Sequence, residues 1–185
     1  MKQKFTTQEL TKMALLTTMI CVSAYITIPL PFTPVALTAQ TLVVNLIALL
    51  LAPGQAVFSI GIYLLLGLIG LPVFSGGMGG PAKLFGPSGG YLLSYLLAVA
   101  LMSWLKGKKY SFARYSAVTI LVGMPVIYFF GSIYMKILTG MDWAGVLTAA
   151  VLPFIPLDLF KCFAAALIAK PVQAALSKSA YGQAG

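Results

Sequence analysis

Leu96-Leu97-Ala98-Val99-Ala100-Leu101-Met102-Ser103-Trp104-Leu105-Lys106-Gly107-Lys108-Lys109 is an uncharged, largely apolar run that stops on a cluster of lysines. A soluble surface helix carries a charged face at helical spacing. This run has none, so its neighbours are lipid or other apolar helices. The lysines that end it fit the cytoplasmic side of a membrane, where Lys and Arg accumulate. The rest of the chain has the same character. Of its 185 residues 60% are hydrophobic and 8% charged, with a mean hydropathy of +0.98. A soluble domain is about a quarter charged, so this composition argues for a surface that meets lipid.

Proline, glycine and charge divide the remaining apolar sequence. Helices are expected at about 9–28, 37–51, 55–71, 89–105, 115–138 and 156–177, with a short helix at about 143–152 before the last. If a crossing needs about 20 apolar residues, the length suits about six in a single membrane domain, 1–185, with little left for a soluble catalytic domain. The first apolar stretch follows a basic start but lacks a small-residue cleavage site and runs into Pro29, Pro31 and Pro34, so it reads as a retained helix. If six helices alternate from a cytoplasmic N-terminus, the inside segments hold Lys2, Lys4, Lys12, Lys106, Lys108, Lys109, Arg114, Lys170 and Lys178, nine of the twelve cations. Both termini are therefore expected in the cytoplasm. The net charge of +9 is a topology signal rather than a nucleic-acid footprint, and anionic lipid headgroups are the natural neighbours of 106–114.

Catalytic chemistry lacks parts. There is no histidine, the acids are only Glu9, Asp142 and Asp158, and the cysteines are only Cys21 and Cys162. No metal cluster, cofactor or catalytic triad is expected. Lys83 is preceded by Gly80-Pro81-Ala82, which is not a phosphate-binding loop, so no nucleotide-hydrolysing site is visible in the chain.

The informative charges are Asp158 and Lys161, in Leu157-Asp158-Leu159-Phe160-Lys161-Cys162. Each costs about 2.5–3.5 kcal/mol at the centre of a membrane helix. At i,i+3 they share a helix face. They read either as a self-neutralised packing pair or as a ligand site combining an acceptor with a three-donor ammonium. The second is favoured, because a self-satisfied pair is replaceable by apolar residues at little cost. Gln40 and Asn45 bring amides into the second helix, as interhelical glue or as ligand contacts. Tyr91 follows Gly89-Gly90 at the outer end of the fourth helix and reads as an interface anchor or, because the glycines let a ligand approach the backbone, as a ligand contact. The segment 75–90 has seven glycines and two prolines and reads as a connector or as an outer lid, with Gly79, Gly80 and Lys83 as lid residues. Ala14, Thr17, Thr18 and Cys21 make a small-residue face on the first helix that admits a second helix, inside the protein or from a partner.

Several blocks together resemble a known family: Ile28-Pro29-Leu30-Pro31-Phe32-Thr33-Pro34-Val35, Thr38-Ala39-Gln40-Thr41-Leu42, Gly70-Leu71-Pro72-Val73-Phe74-Ser75-Gly76-Gly77, Phe85-Gly86-Pro87-Ser88-Gly89-Gly90-Tyr91 and Asp158-Leu159-Phe160-Lys161. They are similar to the BioY family, the biotin-specific substrate-binding (S) components of energy-coupling factor transporters. The resemblance implies an all-α, six-helix S-component fold in a bacterial plasma membrane. It also implies a biotin pocket near the outer surface and assembly with a transmembrane coupling subunit and two ATP-binding-cassette ATPases. On that reading Asp158 accepts a ureido N–H and Lys161 donates to the ureido carbonyl or the carboxylate. Asn45 and Gln40 add polar contacts, and Tyr91 packs on the ring or chain. S components often carry Ala-xxx-Ala on the first helix for docking; here Ala14 is followed by Thr18. The other functional classes considered are a membrane assembly subunit and a solitary ion-coupled carrier.

Overall fold

A computed structural model describes residues 5–181, with side chains described for 5–176. Lys2, Lys4 and the side chain of Lys178, three of the nine topology cations, lie outside the described residues.

Helix α1 (Thr7–Ser23) opens on a capping box: the Thr6 amide donates to Glu9 Oε2 at 2.9 Å and the Glu9 amide donates to Thr6 Oγ1 at 3.3 Å. The other Glu9 oxygen accepts from Gln55 Nε2 at 2.7 Å, which ties the start of α1 to the start of a later helix. The expected helix 9–28 is shorter than read. Ile28 precedes Pro29, which disfavours helical backbone at 28, and the chain instead forms β1 (Thr27–Ile28), paired antiparallel with β2 (Leu37–Thr38). The two strands frame a proline-rich hairpin and delay α2 to Gln40–Leu50. At 11 residues α2 is about 17 Å long, about half of a hydrocarbon core, so it does not cross one alone.

Pro53-Gly54 does not merely close α2. It begins α3 (Pro53–Leu68), with proline in the first turn, where its missing N–H costs nothing. The glycine-rich segment then holds a single bridge between Phe74 and Met78 and a one-turn helix, α4 (Pro81–Leu84). It is not a free connector. The Phe74 ring is fully buried, edge-on to Tyr63, and lies where a side chain on Gly67 would be, 2.0 Å from an added Cβ. The Gly80 amide donates to the Gly67 carbonyl at 2.7 Å and the Gly76 amide to the Ala24 carbonyl at 3.0 Å.

Helix α5 spans Gly89–Leu105. Next, α6 (Phe112–Val118), a π-helical turn (Thr119–Gly123) and α7 (Met124–Thr139) run on as one 28-residue helix. Pro125 has no N–H to donate back, and the wider turn before it accommodates that loss and re-aims the residues that follow, Ile127 and Tyr128 among them. Asp142 caps α8 (Trp143–Ala150), and α9 (Ile155–Tyr181) closes the chain. Phe112–Thr139 and Ile155–Leu176 are long and apolar enough to cross a membrane by length and composition.

Helix α2 is buried along most of its length, packed against α1, α5 and α9. Both of its ends are held by cations. At its C-terminal end Lys106 Nζ donates to the Leu49 carbonyl at 2.9 Å and to the Leu51 carbonyl, while Gln173 of α9 donates to Leu49 at 3.3 Å. Lys106, which reads in sequence as one more loop cation, is thus a cap for orphan carbonyls. Its burial pushes the ammonium down to about 8. An unfolded lysine titrates near 10.4, so between these values the unfolded chain binds more protons and stability rises with pH. The neutral amine still has two N–H groups for two carbonyls. The melting temperature in detergent is expected to rise from about pH 7.5 to about 9.5, and to rise less in Lys106→Gln; identical profiles contradict this.

Candidate functional site

Asp158 and Lys161 are both buried and face a cleft at the end of the bundle opposite Lys106. Pro153 and Pro156 set the start of α9, which puts Asp158 in its first turn, where the helix dipole favours a carboxylate. One turn on, Lys161 Nζ lies 2.8 Å from Asp158 Oδ1. The pair is not satisfied by itself. Lys161 also donates to the Thr38 carbonyl at 2.6 Å and to Thr41 Oγ1 at 3.0 Å, so all three ammonium donors are used. Thr41 in turn donates to Asp158 Oδ1 at 3.0 Å, and Tyr128 of α7 donates to Oδ2 at 2.7 Å. One carboxylate therefore joins α9, α2 and α7. Oδ2 keeps acceptor capacity, and a carbonyl or carboxylate reaching Lys161 replaces the Thr38 carbonyl or Thr41.

The cleft is walled by Val35 and Ala36 of the hairpin, Tyr91 and Tyr95 of α5, Ile127 and Tyr128 of α7, and Ala150 and Phe154 around the end of α8. A second lobe shares Val35, Ala36, Thr38, Tyr91 and Tyr95 and reaches Gln40, Ser75 and Ser88. Charge at the base beneath apolar and aromatic walls suits a small solute with polar ends and an apolar body. The part of the hairpin that reaches the cleft is Val35 and Ala36, just before β2.

The residues singled out in sequence divide clearly. Asp158, Lys161 and Tyr91 meet in the first lobe and Gln40 lines the second. Tyr91 hydroxyl lies 3.3 Å from Ser132 Oγ and donates to the Ala150 carbonyl at 3.2 Å. Gln40 Nε2 donates to Tyr63 hydroxyl at 2.6 Å. Asn45 points elsewhere: its amide donates to Cys162 Sγ at 3.5 Å, the interhelical use that amides also have. Gly89 and Gly90 stand where the chain packs closely: an added Cβ would lie 1.8 Å from the Leu84 carbonyl oxygen and 2.3 Å from Tyr134 Cβ. Gly79 and Gly80 pack on the end of α3 and, like half-buried Lys83, do not line the cleft. Burial lowers the Lys83 ammonium. The loop residues that do line it are Ser75 and Ser88. Sequence reasoning missed Thr38, Thr41, Tyr95 and Tyr128. Thr41 had a signal, one residue after Gln40 in the quoted block; Tyr128, in an aromatic run far from Asp158, had none.

On α1, Thr17 turns inward and lies 3.4 Å from the Ser59 carbonyl, whereas Ala14 and Thr18 are exposed beside Leu15 and Met19.

The helical bundle as a whole has known counterparts. The BioY family profile matches residues 1–178, and the chain belongs to that family. It is 38% identical over 169 residues to "Biotin transporter BioY2" of Lactococcus lactis subsp. cremoris, covering 91% of each chain. It is 37% identical over 162 residues to "Biotin transporter BioY" of Thermotoga maritima, covering 88% of this chain and 94% of that one. A crystal structure of "the S-component for biotin from an ECF-type ABC transporter" superposes with a TM-score of 0.83 at 30% identity, covering 92% of this chain and 95% of the other. All three are named as transport proteins.

Proposed function

We propose that this chain is the biotin-capturing S component of an energy-coupling factor transporter. The observation that carries the reading is the buried Asp158–Lys161 pair, tied to Thr38, Thr41 and Tyr128 at the base of a cleft, in a fold shared with a biotin S-component. Biotin offers two ureido N–H donors, a carbonyl, a carboxylate and an apolar bicycle and chain. A ureido N–H fits the spare acceptor capacity of Asp158. A biotin oxygen displaces the Thr38 carbonyl from Lys161, and the valerate chain runs between Tyr91, Tyr95 and the Val35-Ala36 part of the hairpin. Because Lys161 is already bonded to that hairpin, arrival of the ligand and movement of the hairpin are linked.

The chain is a single membrane domain with six crossings and both termini cytoplasmic. The end of the bundle that gathers Lys12, Lys106, Lys108, Lys109, Arg114 and Lys170 faces inward, and the cleft opens outward. The short α2 completes its crossing with the extended segment before it. With no phosphate-binding loop, the chain draws on a transmembrane coupling subunit and two ATP-binding-cassette ATPases, and the exposed α1 face at Ala14, Leu15, Thr18 and Met19 is offered to them. The bonds that saturate Lys161 are also what a purely structural packing pair displays, so an assembly subunit is the competing reading.

Two measurements separate them. Protein purified from biotin-fed cells is expected to release biotin on denaturation, read by mass spectrometry; a different vitamin, or none, counts against the proposal. Tyr128→Phe removes only a hydroxyl and is expected to weaken biotin binding by about 10-fold, the scale of one charge-assisted hydrogen bond, as Asp158 loses its orientation. A lowered melting temperature with unchanged affinity supports the assembly subunit instead.

A further inference from the structure

We infer that the turn between α5 and α6 is a binding site for the headgroup of an anionic phospholipid, built from Lys108, Lys109, Arg114 and Lys170 and seated beside Trp104 and Phe112. The inference rests on the chain's being embedded in a bilayer but not on which leaflet this end faces.

Four cations surround one turn. Gly107 holds a left-handed backbone, φ +77°, and the Arg114 guanidinium folds against it: an added Cβ would lie 2.4 Å from Nη1. Lys108 and Lys109 follow directly and are exposed. On the other side the Lys170 ammonium lies 6.0 Å from the Tyr110 ring centre, and the Phe112 ring stacks on Phe163. Lys106 takes no part, being spent on the α2 carbonyls.

The chain offers these four groups no carboxylate side chain of its own. Its three acids are used elsewhere: Glu9 by Thr6 and Gln55, Asp142 by the start of α8, Asp158 by Lys161. A carboxylate or phosphate that pairs with them is therefore not an acidic side chain of this protein. Ser111 caps α6 through the Arg114 amide, so the positive end of a long helix points at the same corner. Next to the cations the surface turns abruptly apolar, with Trp104 72% and Phe112 40% exposed. Cations bordering an exposed aromatic girdle match the junction of headgroups and acyl chains, where Trp sits and basic side chains reach the phosphates. A soluble acidic partner would leave the apolar half of the patch uncovered.

Trp104 is the reporter, because the chain has only two tryptophans and Trp143→Phe leaves it alone. The full chain is reconstituted in phosphatidylcholine vesicles containing a fixed fraction of lipid brominated on the acyl chain, either phosphatidylglycerol or phosphatidylcholine. Brominated phosphatidylglycerol is expected to quench Trp104 about twofold more than brominated phosphatidylcholine, with the excess shrinking as salt rises. The triple variant Lys108→Gln, Lys109→Gln, Arg114→Gln should quench equally with both lipids. Gly107→Asn, which tolerates the left-handed backbone but evicts Arg114, should lose much of the excess with every charge retained. Retained biotin binding verifies that each variant is folded. Equal quenching by the two lipids in the parent, or an excess that survives the triple variant, overturns the proposal.

Discussion

Lys161→Met is expected to weaken biotin binding by 10- to 150-fold, about 1.5–3 kcal/mol, the scale of hydrogen bonds to a charged group. Three contacts are lost at once: the Thr38 carbonyl, Thr41 and Asp158. The variant also leaves Asp158 buried with only Thr41 and Tyr128, and uncompensated burial of that kind costs about 3–5 kcal/mol of stability. Lys161→Arg does not rescue it, because a planar fork cannot place three donors toward a carbonyl, a hydroxyl and a carboxylate around one nitrogen. Asp158→Asn combined with Lys161→Met should be more stable than the sum of the single changes predicts, since neither charge is then left unpaired. Binding and melting of these variants and of Asp158→Asn alone check this; affinity within twofold of the parent in Lys161→Met assigns the pair to helix packing.

The second large effect lies away from the charges. Gly89→Ala is expected to lower stability by more than Gly90→Ala, by about 3 kcal/mol, the upper range of overpacking. At 89 the added methyl meets backbone, the Leu84 carbonyl oxygen at 1.8 Å, which no rotamer change relieves. At 90 it meets the Tyr134 side chain at 2.3 Å, which has some freedom to shift. If these glycines instead exist to admit ligand, Gly89→Ala lowers biotin affinity without moving the melting temperature. Thermal unfolding in detergent beside a binding titration separates the two outcomes.

What the sequence made legible follows from how rare each signal is. Charges are so few here that Asp158 and Lys161 stand out, and their i,i+3 spacing alone puts them on one face. The start of α5 at Gly89 and its end before Lys106 coincide with abrupt changes of residue type. The hairpin at 27–38 was hidden because Thr27-Ile28 continues the apolar run of α1, and only the strand partner ten residues on makes it a strand. Gly89 and Gly90 were ambiguous for a physical reason: glycine signals close approach without saying of what. Tyr128 reaches Asp158 through the fold alone: Pro125 marks a break in the helix, but not the π-helical turn before it or the direction in which Tyr128 then points. Lys106 shows the reverse, a topology signal that proves to be a helix cap once α2 is seen to end beneath it.

The central claim, that the Asp158–Lys161 cleft captures biotin, is met most directly by isothermal titration of the purified chain with biotin, riboflavin and thiamine. One biotin per chain is expected to bind well below about 1 μM, a binding free energy stronger than about −8.2 kcal/mol, with a large loss in Lys161→Met. Micromolar or weaker binding of biotin, no tighter than that of riboflavin or thiamine, contradicts it.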